Sequence, residues 1–115
     1  MSTDCPFCRI VAGEIPAVKV HEDELIVAIR DLHPVAPVHL LLLPRVHIES
    51  AVDLTEADAP IAGRLLAVAA ALTRSKGIAH GGYRLVVNAG ADGGQTVGHL
   101  HVHLLGGRAM VWPPG

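Results

Sequence analysis

The segment Gly93-Gly94-Gln95-Thr96-Val97-Gly98-His99-Leu100-His101-Val102-His103-Leu104-Leu105-Gly106-Gly107 places three histidines at alternate positions between two glycine pairs. Successive side chains of a strand point to opposite faces, so the three histidines are predicted to share one face and the intervening aliphatic residues the other. On a helix the same spacing would spread the rings around the axis. The segment therefore predicts a strand with a buried apolar face and an imidazole face turned towards a cleft.

The composition of the chain fits one small domain. Its 115 residues suffice for one domain, and half of them are hydrophobic, mostly aliphatic, which argues against disorder. The net charge of −2, with scattered lysines and arginines, argues against nucleic-acid binding. The longest uncharged apolar run, 65–73, is shorter than the roughly 20 residues that span a bilayer. The N-terminus does not resemble a signal peptide, so we expect a cytoplasmic location and no membrane partner.

Sequence patterns predict the order of helices and strands. Aliphatic runs bounded by turn residues predict strands at 18–21, 25–31, 38–43 and 83–89, with the histidine segment as a fifth. Apolar residues at helical spacing predict one long helix at 55–75, begun by Thr55 and ended by Lys76 and Gly77. A short helical turn is expected at 9–13. These elements indicate an α+β fold, a five-stranded antiparallel sheet with one long helix and a short N-terminal helix, in a single domain over 1–115.

Three interpretations of the alternating histidines follow from the residues alone. In the first, the histidines are ordinary residues of a strand, but their strict alternation between two glycine pairs disfavours this interpretation. In the second, they bind a metal. His99 and His103 would lie roughly 13 Å apart along a strand, so only one or two of the three would join ligands from elsewhere. In the third interpretation, which we favour, they act on a phosphate group.

The phosphate interpretation rests on the chemistry of imidazole. An unperturbed pKa of about 6.5 leaves the neutral, nucleophilic form abundant near neutral pH. Such a ring can attack phosphorus and form an N–P bond that water later breaks, while a histidine two positions on donates to the phosphoryl oxygen or the leaving group. Glycines let backbone N–H groups approach an anion, and Gln95 and Thr96 add neutral donors. The sequence has no Walker-type loop.

The spacing of Cys5 and Cys8 also has several interpretations. A thioredoxin-like redox pair would follow a strand and open a helix within a βαβ unit, which the pattern does not predict. A structural disulfide is disfavoured in a reducing compartment. A zinc half-site needs two further ligands, and unligated thiols also stay open.

Several segments together resemble the histidine triad family of nucleotide hydrolases and transferases, and within it the Hint branch. Besides the triad and the C-x-x-C opening, they are Gly13-Glu14-Ile15-Pro16, Asp31-x-x-Pro34-x-Ala36-Pro37-x-His39, Pro44-Arg45-x-His47-Ile48, Tyr83-Arg84-Leu85-Val86-Val87-Asn88 and Gly106-Gly107-Arg108-x-Met110-x-Trp112-Pro113-Pro114-Gly115. The resemblance covers nearly the whole chain. It implies hydrolysis of purine nucleoside 5′-phosphoramidates or acyl- or aminoacyl-adenylates to the nucleoside monophosphate through a covalent nucleotidyl-histidine.

Other functions stay open beside this one. A dinucleoside polyphosphate hydrolase or nucleotidyltransferase of the same superfamily is the nearest alternative. A nucleotide-binding regulatory dimer and a zinc-binding interaction module belong to different classes of protein.

The resemblance implies a role for each matching residue. His101 is the implied nucleophile, and His103 the implied hydrogen-bond donor to the phosphoryl group, with His39 close to it. The residues implied to bind the rest of the substrate are Asp31 at the ribose, Ile29 and Leu32 at the purine, and Asn88, Gly94, Gln95 and Thr96 on the phosphate and leaving-group side.

The resemblance further implies a structural zinc ion and a homodimer. His47 and His99 would complete a tetrahedral zinc site with Cys5 and Cys8, and the chemistry itself would need no metal. The tail, 108–115, would lie at the dimer interface and bring Trp112 to the partner's pocket.

Two residues depart from the pattern of the Hint branch. Thr96 stands where many of its members have serine, and Gly98 replaces a bulkier residue. We expect both to affect substrate preference more than the class of reaction. The histidines at His21, His33 and His80 are expected to be ordinary surface residues.

Overall fold

The fold is given by a computed structural model that describes residues 4–115. In chain order, the helices and strands of this part are α1 (Pro6–Val11), β1 (Lys19–Glu22), β2 (Ile26–Arg30), β3 (Val38–Pro44), α2 (Ala59–Ser75), β4 (Tyr83–Val86) and β5 (Val102–Gly106). Two short 3₁₀ turns, Ala51–Asp53 and Glu56–Asp58, precede α2. The predicted architecture, five antiparallel strands with one long and one short helix, is confirmed.

The strand order β1-β2-β3-β5-β4 puts β3 and β5 side by side, although they are far apart in the sequence. Their antiparallel register pairs Leu41 with His103 and His39 with Leu105. Directly paired residues point to the same face of a sheet. The register therefore brings His39 and His103 to one face at neighbouring positions, although they are 64 residues apart in the chain.

Each face of the sheet carries its own apolar core. On the α2 side, Leu100, Val102 and Leu104 pack into one buried cluster with the helix. On the α1 side, Phe7 and Ile10 pack with the opposite side chains of β2 and β3. The predicted alternation of apolar and histidine side chains is thus confirmed, because the residues between the histidines are the ones that enter the α2 core.

The long helix begins slightly later than its pattern predicts. The backbone N–H of Thr55 donates to Asp58 Oδ2 at 3.0 Å, as expected for a capped start. The first turn is nevertheless a 3₁₀ turn, and α2 begins at Ala59 with Pro60 in its first turn, where no N–H is needed. Its C-terminal end is as predicted, because Gly77 adopts a φ of 73°, which favours glycine.

The bounds of α1, β4 and β5 also differ from the predictions. The N-terminal helix begins at Pro6 instead of residue 9, because the Cys5 thiol accepts the Cys8 N–H at 3.2 Å and proline suits a first helical turn. β4 ends at Val86, and β5 begins only at Val102, so His99 and His101 precede the strand. Just before β5 the chain pairs with the segment around Ile48 instead of β4, since the Leu100 N–H donates to the Ile48 carbonyl at 2.6 Å.

None of the helices within residues 4–115 combines the length and the apolar character needed to cross a membrane.

Candidate active site and metal centre

His101 is buried beneath α1, with its ring edge-on to Phe7 at a centroid distance of 5.1 Å. Its Nδ1 lies 2.7 Å from the backbone carbonyl oxygen of His99. Because a carbonyl oxygen only accepts, Nδ1 must carry the proton and donate it. In the neutral ring this leaves the lone pair on Nε2, which is the form of imidazole that can attack phosphorus.

His103 and His39 form a hydrogen-bonded pair beside this ring. The backbone N–H of Val35 donates to His39 Nδ1 at 3.1 Å, so the proton of a neutral His39 lies on Nε2. That Nε2 is 3.0 Å from His103 Nδ1, which accepts the proton and leaves His103 with its own proton on Nε2. Burial lowers the pKa of His39 and that of His103, so both rings are neutral near pH 7.

The arrangement therefore sets a nucleophile next to a donor. The ring centroids of His101 and His103 are 5.0 Å apart. One ring offers a lone pair on Nε2 and the other an N–H on Nε2. Asp31 is the carboxylate beside this pair: its Oδ2 lies 3.3 Å from His39 Nε2, and its Oδ1 accepts the His33 N–H at 2.8 Å. Such a site can attack a phosphorus atom and stabilise the charge that develops on its oxygens.

A second cluster, formed by Cys5, Cys8, His47 and His99, lies next to the first. Its four ligand atoms are all within 4.8 Å of one another. The Cys5 Sγ and Cys8 Sγ atoms lie 3.3 and 3.5 Å from His99 Nδ1, and Cys8 Sγ lies 3.2 Å from His47 Nδ1. Zinc bonds of about 2.3 Å to sulfur and 2.0–2.1 Å to nitrogen in a tetrahedron require sulfur–nitrogen distances of roughly 3.5 Å. The donor set and its spacing fit zinc.

The surroundings of this cluster also fit a metal. The Nε2–H of His99 donates to the Pro44 carbonyl at 2.9 Å, which leaves its Nδ1 unprotonated and facing the thiols. His47 Nε2 lies 3.7 Å from Glu49 Oε1. Burial, followed by the neighbouring Cys5 thiol, raises the pKa of Cys8 to about 11. Zinc binding would therefore release protons from the thiols.

The family of the chain follows from a comparison with known proteins. Residues 12–110 match the model of the HIT domain. The chain belongs to the HIT domain family. This confirms the resemblance seen in the sequence, and a match of this length spans both the histidine segment and the sheet that supports it.

Several relatives of this HIT protein carry names that bear on its chemistry. A purine nucleoside phosphoramidase of Escherichia coli (strain K12) is 41% identical over 110 residues, which cover 96% of this chain and 92% of that protein. A 14 kDa zinc-binding protein of Zea mays is 45% identical over 111 residues, covering 95% and 86%. A crystal structure of a HIT family hydrolase from Legionella pneumophila Philadelphia 1 has a TM-score of 0.96 at 48% identity, covering 97% and 100%. These relatives support a hydrolase activity of the HIT type.

The residues predicted at the nucleoside side differ in exposure. Ile29 is buried in the α1-side core, whereas Leu32 is 84% exposed. Asp31 is half-buried between them along the chain. Trp112 is 82% exposed, in a tail that is held to the sheet where Arg84 Nη2 donates to the Val111 carbonyl at 2.9 Å.

The glycine-rich loop before His99 is held by hydrogen bonds of the Gln95 side chain. The Gln95 amide donates to the carbonyls of Glu49 and Val97 at 2.8 and 3.0 Å, and its Oε1 accepts the Gly90 N–H at 3.1 Å. In this arrangement Gln95 holds the loop and its amide is not free to donate to a phosphate. Gly94 adopts a φ of 79°, which favours glycine.

Thr96 and Gly98 line a cavity of about 340 Å³ that also touches Cys5 and His47 of the metal cluster. A Cβ added at Gly98 would lie 3.1 Å from the Oε2 of Glu49. The departure at Gly98 therefore concerns the wall between the loop and the metal cluster.

Several groups that orient the histidines have no signal in the sequence. The backbone groups of Val35, Pro44 and His99 fix the proton positions of His39, His99 and His101. Arg108 holds Val35 in place, because the Arg108 Nε donates to the Val35 carbonyl at 2.9 Å. Backbone donors and acceptors are common to all residues, so only the fold reveals these contacts. The His21 ring is also more than a surface residue, since its Nε2 lies 2.6 Å from Asp23 Oδ2.

Proposed function

We propose that this HIT protein hydrolyses purine nucleoside 5′-phosphoramidates, or acyl- or aminoacyl-adenylates, to the nucleoside monophosphate. The observation that carries the proposal is the hydrogen bond from His101 Nδ1 to the His99 carbonyl, which leaves Nε2 free to attack. The similarity to the E. coli purine nucleoside phosphoramidase supports this class of substrate.

The reaction proceeds in two steps. His101 Nε2 forms a bond to the α-phosphorus as the bond from phosphorus to the leaving group breaks, and the electron pair of that bond goes to the leaving group. A phosphoramidate nitrogen takes a proton from solvent and leaves as the amine, whereas an acyl-adenylate releases a carboxylate. Water then attacks the phosphorus, the N–P bond breaks, and His101 is regenerated. His103 donates its Nε2–H to a phosphoryl oxygen in both steps and stabilises the charge that develops there.

The remaining predicted residues bind the rest of the substrate. Asp31 accepts from the ribose, while Ile29 and Leu32 flank the purine. Asn88, Gly94 and Thr96 line the phosphate and leaving-group side, with Gln95 holding the loop.

We also propose that zinc is structural and that the chain forms a homodimer. Cys5, Cys8, His47 and His99 would hold the ion, which would cross-link the N-terminus to the chain just before β5. Four protein ligands leave no open position, so the ion takes no part in the reaction. The tail, 108–115, would lie at the dimer interface and bring Trp112 to the partner's site. Cysteine ligands persist in the reducing cytoplasm, where we place the protein.

The proposed function is tested by intact-protein mass spectrometry after rapid quench with an adenosine phosphoramidate. We expect one added nucleotidyl group per chain. His101→Asn should abolish the adduct, whereas His80→Asn, at an exposed position, should retain it. The absence of an adduct from the unaltered protein under turnover would contradict the mechanism. Faster turnover of diadenosine triphosphate than of adenosine 5′-monophosphoromorpholidate would favour the dinucleoside polyphosphate alternative.

A further inference from the structure

The segment that carries Val35 joins β2 to β3 and has no regular secondary structure. Its side chains Leu32 and Val35 are exposed, so burial contributes little to its conformation. Pro34 and Pro37 have no N–H, which leaves the segment few backbone donors. One of these donors, the Val35 N–H, donates to His39 Nδ1 at 3.1 Å. Any contact that fixes Val35 therefore also fixes the proton of His39.

The C-terminal tail meets this segment at two points. The Arg108 Nε donates to the Val35 carbonyl at 2.9 Å, and its Nη1 donates to the Ala109 carbonyl at 3.1 Å. Beside this contact, the backbone of Gly107 lies against Pro37, where an added Cβ would be 2.8 Å from the proline Cβ. The guanidinium thus joins a carbonyl of the segment to a carbonyl of the tail.

A continuous chain of hydrogen bonds leads from the tail to the third histidine of the triad. Arg108 holds the carbonyl of Val35, whose N–H donates to His39 Nδ1. His39 Nε2 then donates to His103 Nδ1 at 3.0 Å, which leaves the His103 proton on Nε2. We infer that Arg108 is a positioning residue for His103, so that the tail fixes the hydrogen-bond donor for the phosphoryl group. The inference rests on the proposed function, in which His103 donates to a phosphoryl oxygen.

Loss of Arg108 would act through the proton positions of the two histidines. Without this donor Val35 can turn, and its N–H can leave His39 Nδ1. The His39 proton can then lie on either nitrogen. When it lies on Nδ1, His39 Nε2 becomes an acceptor and His103 donates to it from its own Nδ1. The His103 Nε2 then carries a lone pair, which repels a phosphoryl oxygen.

A direct contact between Arg108 and the substrate is the competing role. Two of its three guanidinium nitrogens already donate to the carbonyls of Val35 and Ala109. Bonds to both carbonyls fix the plane of the guanidinium, because its N–H groups have a rigid fork geometry. The contacts of the side chain therefore favour a role through Val35.

The test is the proton position of His39 and His103 in ¹⁵N NMR spectra of the full, zinc-loaded chain. In the unaltered protein we expect both rings to be protonated at Nε2 and to accept at Nδ1. Arg108→Ala should give averaged nitrogen shifts for both rings. Spectra of this variant that match those of the unaltered protein would overturn the inference.

Arg108→Lys covers the case in which the alanine variant does not fold. It keeps the charge and one donor but not the fork geometry of the guanidinium, so its shifts should lie between those of the unaltered protein and the averaged pattern. If only this variant folds, shifts equal to those of the unaltered protein would overturn the inference.

Arg84→Ala is the matched control. It removes the same charge and a hydrogen bond of the same length, since Arg84 Nη2 donates to the Val111 carbonyl of the tail at 2.9 Å. It should leave the shifts of His39 and His103 unchanged. An equal response to Arg84→Ala would show that the packing of the tail in general, and not the Arg108 contact, orients His103, and would contradict the inference.

Kinetics with an adenosine phosphoramidate provide a second readout. Arg108→Ala should lower kcat about five- to tenfold, less than the 10²–10³ lost with an entire donor, and leave KM nearly unchanged. In a His39→Ala background the same change should lower kcat no further, because the chain to His103 is already broken. An equal additional loss in that background would show that Arg108 acts by another route and would contradict the inference.

The two proposals fail in different ways. The spectra need no substrate, so they report on the Arg108 contact whether or not a nucleotidyl adduct forms. If no adduct forms, the proposed function fails, and the inferred role of Arg108 at the phosphoryl group falls with it. If the adduct forms but the spectra of His39 and His103 do not respond to Arg108, only the inference fails.

Discussion

His99 and His101 are separated by one leucine, yet they use opposite nitrogens. His99 donates from Nε2 to the Pro44 carbonyl and turns Nδ1 towards the two thiols. His101 donates from Nδ1 to the carbonyl of His99 itself and leaves Nε2 free. Under the proposed function, the same side chain thus acts as a metal ligand in one place and as a nucleophile in the other. The difference depends on which ring nitrogen donates to a backbone carbonyl, because the other nitrogen of the neutral ring then carries the lone pair.

The largest expected effect comes from removing the free Nε2. His101→Asn takes away the nucleophile, and we expect kcat to fall by a factor on the order of 10³ or more while zinc content is unchanged. Single-turnover kinetics and metal analysis measure the two quantities. If His101→Asn instead lost zinc and kept its activity, the roles assigned to the two neighbouring histidines would be reversed.

Loss of the metal bound by the His99 cluster should chiefly affect the stability of the folded state. Cys8→Ser or a chelator removes zinc, which stabilises the folded state by about 4 kcal/mol when free zinc is 1,000 times its dissociation constant. Because the pKa of Cys8 is raised to about 11 in the metal-free protein, zinc competes with a proton there and its affinity should rise with pH. Thermal unfolding with and without chelator checks the first point, and competition titrations from pH 6 to 8 check the second. Ser75→Ala, at an exposed residue whose hydroxyl donates to the Leu72 carbonyl at 3.1 Å outside the cluster, is the control, and its unfolding should not respond to chelator any differently from that of the unaltered protein.

A change at His39, the hydrogen-bond partner of His103, tests the donor beside His101. His39→Ala removes the hydrogen bond that fixes the His103 tautomer. We expect kcat to fall about 10- to 100-fold, with His101 still able to form the adduct. Rapid-quench measurement of adduct formation and decay identifies the slowed step. A variant as fast as the unaltered protein would show that His103 needs no orientation by His39.

The smallest expected effect is the loss of stability at low pH. Burial lowers the pKa of His39 and of His103 below their unfolded value, so the unfolded chain takes up protons first as pH falls. The free energy of unfolding should therefore decrease as pH falls below about 6.5 and level off below the folded pKa values. Denaturant unfolding from pH 7 to 5 measures this, and His39→Gln should flatten the curve. A curve of the same slope in that variant would contradict the assignment.

The fold was predictable because alternation and helical spacing record which side chains enter a core. The alternation of Leu100, Val102 and Leu104 predicted the face that enters the α2-side core, and Thr55 with Asp58 predicted a capped start, although α2 itself begins only at Ala59. The strand ends were less predictable, because the point where β4 leaves β5 depends on the pairing of Leu100 with Ile48.

The candidate site was predictable only in part. Residue chemistry pointed to the histidine segment, and the spacing limit predicted that the three rings would not share one ion; of the three, only His99 lies in the cluster with the thiols. His47 as the fourth ligand came from the family resemblance, because nothing in its local sequence indicates that β3 delivers it to Cys8. The proton positions were out of reach, because Val35 and Pro44 act through backbone atoms.

The most direct test is a ¹⁵N NMR assignment of both rings in the zinc-loaded protein. The account predicts that His99 is bound to metal through Nδ1 and protonated at Nε2, while His101 is protonated at Nδ1 with an unprotonated, metal-free Nε2. A proton or a metal ion on Nε2 of His101 would contradict it.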